Sequence, residues 1–433
     1  MSIDKKIISD LSINDLQSIL EDLKKNENTF FCYESIEIIR KYISLKSRYL
    51  IKDLKKKFGD LYIDYLNLFH LIFLELVEKK FFRKEGFLDI SIINSILSLK
   101  KWTKISSILS KEIDNELNKL ESHLFSLKKI NLKNDSFKQR FIFNYNDLKQ
   151  ESQYSKSVVI LSPNPYSLYT GCVIKLCNHF SIPIEAIIIR RFSVKRFFEE
   201  SKRDGYFYLL KKIFYKLILK GDDNLSYSEV SLKYVFKRLG LKNKNISKNR
   251  DFKLIYVDNF RTLNSSVLSL KSNIALFTGG GIISDNFINK FKDGIINLHV
   301  GNLPAYKGMD TTEAAILEGH FNSTALTTHL MSKNVDSGPI ITKYIFNTDG
   351  YSKIGTIFNE ASSLFPFMLI DSYLGLCSKR YEIIDQDNKG KLYFTLNQDL
   401  KNLVNKVLFM RSQNNIKPEL IKSTVNKILK NFI

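Results

Sequence analysis

The sequence predicts an α/β protein with a doubly wound sheet behind an all-α region, on three observations. From residue 152 onward, short wholly apolar runs such as Val158-Val159-Ile160-Leu161 alternate with helical patterns, as expected of strands buried on both faces. One such run, Ile274 to Phe277, ends in Thr278-Gly279-Gly280-Gly281, bare backbone at the carboxyl end of a strand, where doubly wound sheets bind ligands. Residues 1–150 carry almost no Gly or Pro and read as helix throughout.

At 433 residues the chain exceeds one ordinary core, and its length suggests about two or three domains. The change of pattern near Ser152 gives a helical N-terminal domain over 1–150, an α/β domain over 151–345, and a C-terminal helix, hairpin and basic helical tail over 346–433. In the first, Ser12 and Asp15 resemble a capping box ahead of Leu16, Ile19, Leu20 and Leu23 on one face. Ile113, Leu117, Leu120, Leu124 and Leu127 alternate four- and three-residue steps, which suits a bundle seam. Trp102, His70 and His123 have no chemical partner nearby in sequence and are read as packing residues.

The α/β region opens with Val158 to Leu161 and the loop Ser162-Pro163-Asn164-Pro165. A helix carrying Val173, Ile174, Leu176, Cys177 and Phe180 follows, then a second run, Ile184 to Ile189. This is a βαβ unit with a right-handed crossover. Basic helical residues run from Phe192 to Leu219, and a looser polar segment reaches Arg250. Further strands are expected at Leu254 to Val257, Ile274 to Phe277, Gly294 to His299, Ala325 to Met331 and Ile340 to Tyr344. Helices are expected from Asp285 and over Thr312 to Glu318. The tail predicts a helix from Ile354 to Leu376, a hairpin pairing Tyr381 to Ile384 with Lys391 to Phe394 across Asp387 to Gly390, and helical residues to the end.

The net charge of +21 invites a polyanion, since basic surfaces recruit phosphates through counterion release. The excess is concentrated between Arg190 and Arg250, where 17 basic side chains accompany 6 acidic ones. Its aromatic residues are spaced as a helix core and not as readers of bases, so nucleic acid is not the favoured partner. Cys32, Cys172, Cys177 and Cys377 show neither paired spacing nor a histidine at ligand distance in sequence, so no metal site is expected. The first residues lack an apolar signal core, and the greasiest stretch, Leu61 to Val77, is interrupted by Asp64, Asn67, His70 and Glu75. No spanning segment is expected, and the cytoplasm is the default location.

Residues two apart in a strand share a face, so Asn297 and His299 project together from the end of theirs. Asp336 sits on a later loop, Asn334-Val335-Asp336-Ser337-Gly338-Pro339, from which an adjoining strand could bring its carboxylate to the same rim. A converging amide, imidazole and carboxylate suit acyl transfer, with a donor for a developing oxyanion and two groups to manage protons.

With those residues in view, Asn297-Leu298-His299, then Leu303-Pro304-Ala305-Tyr306-Lys307-Gly308, then Asp336-Ser337-Gly338-Pro339-Ile340 resembles the signature of the 10-formyltetrahydrofolate-dependent formyltransferases. That family includes enzymes acting on methionyl-tRNA, glycinamide ribonucleotide and sugar nucleotides. The resemblance is tight over 295–345, looser from Ser155 to Tyr393 and absent from 1–150. It implies a Rossmann-like formyltransferase domain using 10-formyltetrahydrofolate as co-substrate. It further implies that Asn297 holds the formyl oxygen, that His299 polarises it or shuttles a proton, and that Asp336 orients His299 and draws the proton from the attacking amine through water. The pterin would lie against Gly279, Gly280, Gly281, Ile282 and Ile283, with Leu303, Pro304 and Val335 completing its site. The acceptor would be a small-molecule primary amine, with an amino-sugar nucleotide ranked first. Hydrolysis of the folate, formylation of methionyl-tRNA and non-catalytic polyanion binding are the alternatives, and a homo-oligomer is compatible with the family. The loop after the first strand lacks the glycines with which the purine-pathway enzyme cradles a phosphate, and no C-terminal barrel of the tRNA enzyme is evident.

Overall fold

In the computed structural model of the chain, the apolar run Val158–Ser162 forms strand β1 with every residue buried. The structure describes residues 107–127, 143–191, 231–241, 252–386 apart from 323, 390–413 and 421–432, with 141, 246 and scattered positions between 17 and 97. The Ser12 and Asp15 pattern with its four apolar residues, His70, Trp102, Cys32 and the basic stretch from Phe192 to Leu219 lie outside the described residues. The chain divides into two compact units, one of residues 1–128, 317–319 and 393–407, the other of 129–316, 320–392 and 408–433.

In the first unit the seam residues Ile113, Leu120 and Leu124 are buried on α1, Ser107–Ser126. Glu116 is buried on the same helix, its carboxylate 3.0 Å from the Lys119 ammonium one turn on. Asn94 ties this unit to itself, accepting from the Asn397 amide at 2.6 Å and donating to the Thr395 carbonyl at 3.3 Å.

The second unit is organised by a seven-stranded sheet. Its strands are β1, β2 (Ile184–Arg190), β3 (Lys253–Val257), β4 (Ile274–Phe277), β5 (Gly294–Val300), β7 (Thr324–Leu330) and β8 (Ile340–Phe346). A three-residue strand, β6 (Tyr306–Gly308), lies outside it. The order is β8-β7-β5-β4-β1-β2-β3. From β3 to β5 the strands are parallel; β7 and β8 are antiparallel to their neighbours. The chain reverses direction of travel across the sheet between β1 and β4, which leaves a crevice at their carboxyl ends. A chain of buried hydroxyls ties the ends of these two strands to the helix that follows β1: Ser162 Oγ, Thr170 Oγ1 and Thr278 Oγ1 stand 2.9 and 2.7 Å apart, and Thr278 donates to the Leu161 carbonyl at 2.8 Å.

Helices cover both faces. Leu168–His179 begins where the Ser167 hydroxyl accepts from Thr170 N. Ile354–Cys377 buries Ile357, Leu364, Phe367, Met368 and Tyr373, and its Ser372 hydroxyl meets Thr328 of β7 at 2.6 Å. The opposite face holds Phe260, Phe287 and Phe291 against Val159, Ile188, Ala275 and Ile295.

Two expectations are corrected. Within the segment read as loose and polar, Leu232–Arg238 is a helix, capped by Ser231 and burying Val235 and Phe236. Phe236 packs so closely on Gly171 that a Cβ there would lie 2.8 Å from its ring. The C-terminal hairpin does not form: Lys391–Tyr393 pairs with β6, while Ile384 bridges Ile340 at the start of β8. Each half of the expected hairpin pairs elsewhere instead of with the other half. Among the described residues no helix is long and apolar enough to cross a membrane.

Behind the sheet, Arg380 joins Glu151 at 2.5 Å and the fully buried Asp371 at 2.7 Å, and Tyr381 donates to Asp371 at 2.8 Å. Removing the guanidinium strands a buried carboxylate, a loss of about 3–5 kcal/mol for pairs of this kind. Arg380→Met is therefore expected to lower the unfolding free energy by that order, read from the urea midpoint at constant slope.

Candidate active site

Strand β5 delivers Asn297 and His299 to one face, and the pairing with β7 puts two more side chains there. Asn297 lies opposite His329 and His299 opposite Thr327, and directly opposed residues share a face. The β7–β8 connection carries Asp336 back to the same rim. Its Oδ2 stands 3.2 Å from His299 Nδ1 and its Oδ1 3.5 Å from His329 Nε2. The structure thus brings Asn297, His299 and Asp336 into one cluster and adds His329, which is 1% exposed.

Hydrogen bonds fix the protons. His299 Nε2 lies 2.9 Å from the Tyr306 carbonyl and His329 Nδ1 lies 2.8 Å from the Leu330 carbonyl; carbonyls only accept, so both nitrogens carry hydrogen. In neutral His329 the other nitrogen, Nε2, is then a lone pair, and it accepts from Asn297 Nδ2 at 3.0 Å. Burial pushes the His299 imidazole below its ordinary value; Asp336 pulls it up, His329 pushes it down, and the net direction is down. Burial would raise Asp336, but contact with His329, the charges of both histidines and the Gly308 N–H outweigh it and hold the carboxyl at about 2. That N–H donates to Oδ2 at 3.0 Å. Asp336 adopts φ 49, a left-handed backbone that Asp tolerates better than most residues.

The turn between His299 and Tyr306 is held from outside. The Val300 carbonyl accepts from Thr311 Oγ1, and that of Gly301 from Thr327 Oγ1 at 2.7 Å. Buried Lys343 of β8 donates to Asn302 Oδ1 at 2.6 Å and to the Leu303 carbonyl at 2.8 Å.

The residues proposed from the sequence to hold a ligand divide into two kinds. Gly279, Gly280 and Gly281 have φ of 114, 132 and 96 at the end of β4, where a Cβ on Gly280 would fall 2.3 Å from the Phe260 ring. Arg190 donates from Nη1 to the Gly280 carbonyl at 2.7 Å and steadies this loop. Ile282 and Val335 are 71% and 58% exposed, apolar surface available to a flat ring. Leu303, fully buried ahead of a cis bond to Pro304, and Ile283, packed in the core, offer a ligand no side-chain surface.

Sequence reasoning assigned no role to His329, Lys343 or Thr327. The strand Ala325 to Met331 was legible, but its pairing partner was not, and only the register shows that its histidine meets Asn297. Polar residues at alternating positions, Thr327 and His329, were the available signal.

Residues 261–360 match the Formyl transferase family. Methionyl-tRNA formyltransferase of Borrelia garinii subsp. bavariensis is 32% identical over 139 residues, which cover 30% of this chain and 43% of that protein. Methionyl-tRNA formyltransferase of Lachnospira eligens is 25% identical over 138 residues, 32% of this chain and 42% of that protein. The chain therefore spans less than half the length of these curated relatives. Among solved structures, the formyltransferase PseJ from Anoxybacillus kamchatkensis, in complex with UDP-4,6-dideoxy-4-formamido-L-AltNAc and tetrahydrofolate, shares 18% identity over 37% of this chain and 89% of that one, with a TM-score of 0.30. Methionyl-tRNA formyltransferase from Clostridium thermocellum shares 14% identity over 56% of this chain and 74% of that one, with a TM-score of 0.31.

A carboxyl held below its unfolded value of about 3.9 contributes stability that is complete above that pH and lost as the pH falls through its folded value. For Asp336 the loss should run from there down to about 2. Asp336→Asn is expected to remove about 2 kcal/mol at neutral pH and to flatten the unfolding free energy over that acid window, measured by urea titration at several pH values.

Proposed function

We propose that the chain, which carries a formyl transferase segment over residues 261–360, moves a formyl group from 10-formyltetrahydrofolate to a primary amine. The observation that carries this is the cluster of Asn297, His299, Asp336 and His329 on one face of the sheet. The amine nitrogen attacks the formyl carbon, the carbonyl becomes an oxyanion, and the bond to N10 then breaks. The amine loses a proton and N10 gains one.

Asn297 has a second N–H beyond the one given to His329, and it supplies the oxyanion donor. His299, whose imidazole is pushed down by burial, gives up a proton readily and serves as the group that passes one between amine and N10. Asp336, with its carboxyl at about 2, is a poor proton acceptor; its part is to hold His299 and balance the charge that His299 gains. The triple-glycine backbone and the exposed Ile282 and Val335 suit a flat pterin, since glycine lets a ring approach the backbone closely.

An amino-sugar nucleotide is the acceptor class we place first, because the basic side chains between Arg190 and Arg250 offer counter-charge to a diphosphate. Methionyl-tRNA is the second reading, favoured by what the curated relatives are named for. Turnover with UDP- and dTDP-linked amino sugars, with charged initiator tRNA and with no amine, followed by tetrahydrofolate release, separates the two acceptors from plain hydrolysis.

Asn297→Ala and His299→Ala are each expected to lower kcat by about 10²–10³, the usual loss when one transition-state donor goes. The melting temperature should show that both variants fold. Unchanged turnover in either would sink the assignment.

A further inference from the structure

We propose that Gln386 is a positioning residue of this centre, holding Asp336 in its left-handed conformation from a segment outside the residues that match the family. The proposal rests on the formyl-transfer reading for its consequence and on geometry for its substance.

Gln386 Nε2 donates to two carbonyls of the Asp336 turn, to Asp336 O at 3.1 Å and to Gly338 O at 2.6 Å. Both partners only accept, so the NH₂ end of the amide must face the turn. The other end, Oε1, is buried with no hydrogen-bond partner among the described residues. A side chain present for packing alone would do better without that stranded oxygen, because leaving a buried acceptor unmet is costly. The donors therefore account for the residue.

What they hold needs holding. Asp336 has φ 49, and left-handed backbone persists at a non-glycine residue only where its surroundings over-determine it. Gly338, two residues on, is so tightly placed that a Cβ would lie 1.9 Å from the Leu330 carbonyl. The segment bearing Gln386 is itself fixed: Ile384 exchanges both backbone hydrogen bonds with Ile340, at 2.8 and 2.9 Å. Beyond it, Lys391 N donates to the Ala305 carbonyl at 3.0 Å, so the same stretch of chain also grips the loop that sends the Gly308 N–H to Asp336. Rotation of the Asp336 peptide would carry its carboxylate away from His299 Nδ1, now 3.2 Å distant.

The test uses the full chain labelled with ¹³C-aspartate, the Asp336 carboxyl signal being assigned by its loss in Asp336→Asn. Gln386→Met keeps the length and removes the donors, Gln386→Glu offers only acceptors at neutral pH, and Gln386→Asn keeps the amide one methylene short. We expect the Asp336 titration to move up toward the ordinary carboxylate range in Gln386→Met, further in Gln386→Glu and least in Gln386→Asn. Formyl-transfer kcat should fall by about 10–100-fold in Gln386→Met, the cost of a small misplacement, with KM for the folate nearly unchanged. An Asp336 titration and kcat that stay at wild-type values in folded Gln386→Met overturn the proposal, whatever happens to the melting temperature; if that chain does not fold, Gln386→Asn decides by the same two readings. A wild-type chain without formyl transfer, but with an Asp336 signal that moves in the variants, overturns the functional reading and leaves the positioning role standing.

Discussion

Taking a carboxylate out of water costs several kcal/mol unless fixed polar groups replace the solvent, and Asp336, 14% exposed, sits among three. Two are imidazoles and one is a backbone N–H from the loop that follows His299. Each comes from a different element, so the charge stays comfortable only when β5, β7 and the Tyr306 to Gly308 strand are all in place. The antiparallel pairing lays His329 opposite Asn297, and the β7–β8 connection brings the Asp336 carboxylate to both histidines.

The turn after β5 poses the complementary problem, too many acceptors. Successive carbonyls at Val300, Gly301 and Leu303 point inward where no secondary structure can meet them, and Thr311, Thr327 and Lys343 supply the donors. Buried polar groups left unmet are expensive. Lys343 reaches this turn from β8, where it pairs across from Thr327, so two adjacent strands present their donors side by side. The turn that leads to the Tyr306 carbonyl, which His299 meets, is thus held by Thr311, Thr327 and Lys343.

The parallel half of the sheet was legible because Val158 to Leu161, Ile184 to Ile189 and Ile274 to Phe277 are apolar at every position, which marks strands covered on both faces. The rim at Asn297 and His299 was legible because a period of two places both side chains together. Three things were not. The register of β5 against β7, which brings in His329, is a long-range property with no local mark. The Leu232–Arg238 helix was hidden by flanking Lys and Asn, since two buried residues make a weak period. The tail looked like a hairpin because two strand-like runs flank turn residues, yet Ile340 and β6 offered those runs edges already fixed in the sheet and the site.

The proton inventory of the cluster decides what kind of ligand it can take. His329 gives its Nδ1 hydrogen to the Leu330 carbonyl, and in the neutral ring this leaves only a lone pair for Asn297. Asn297 must then offer its NH₂ group to His329, and the remaining hydrogen of that group is the one directed elsewhere. A rim that presents an amide donor suits an oxygen that becomes more negative.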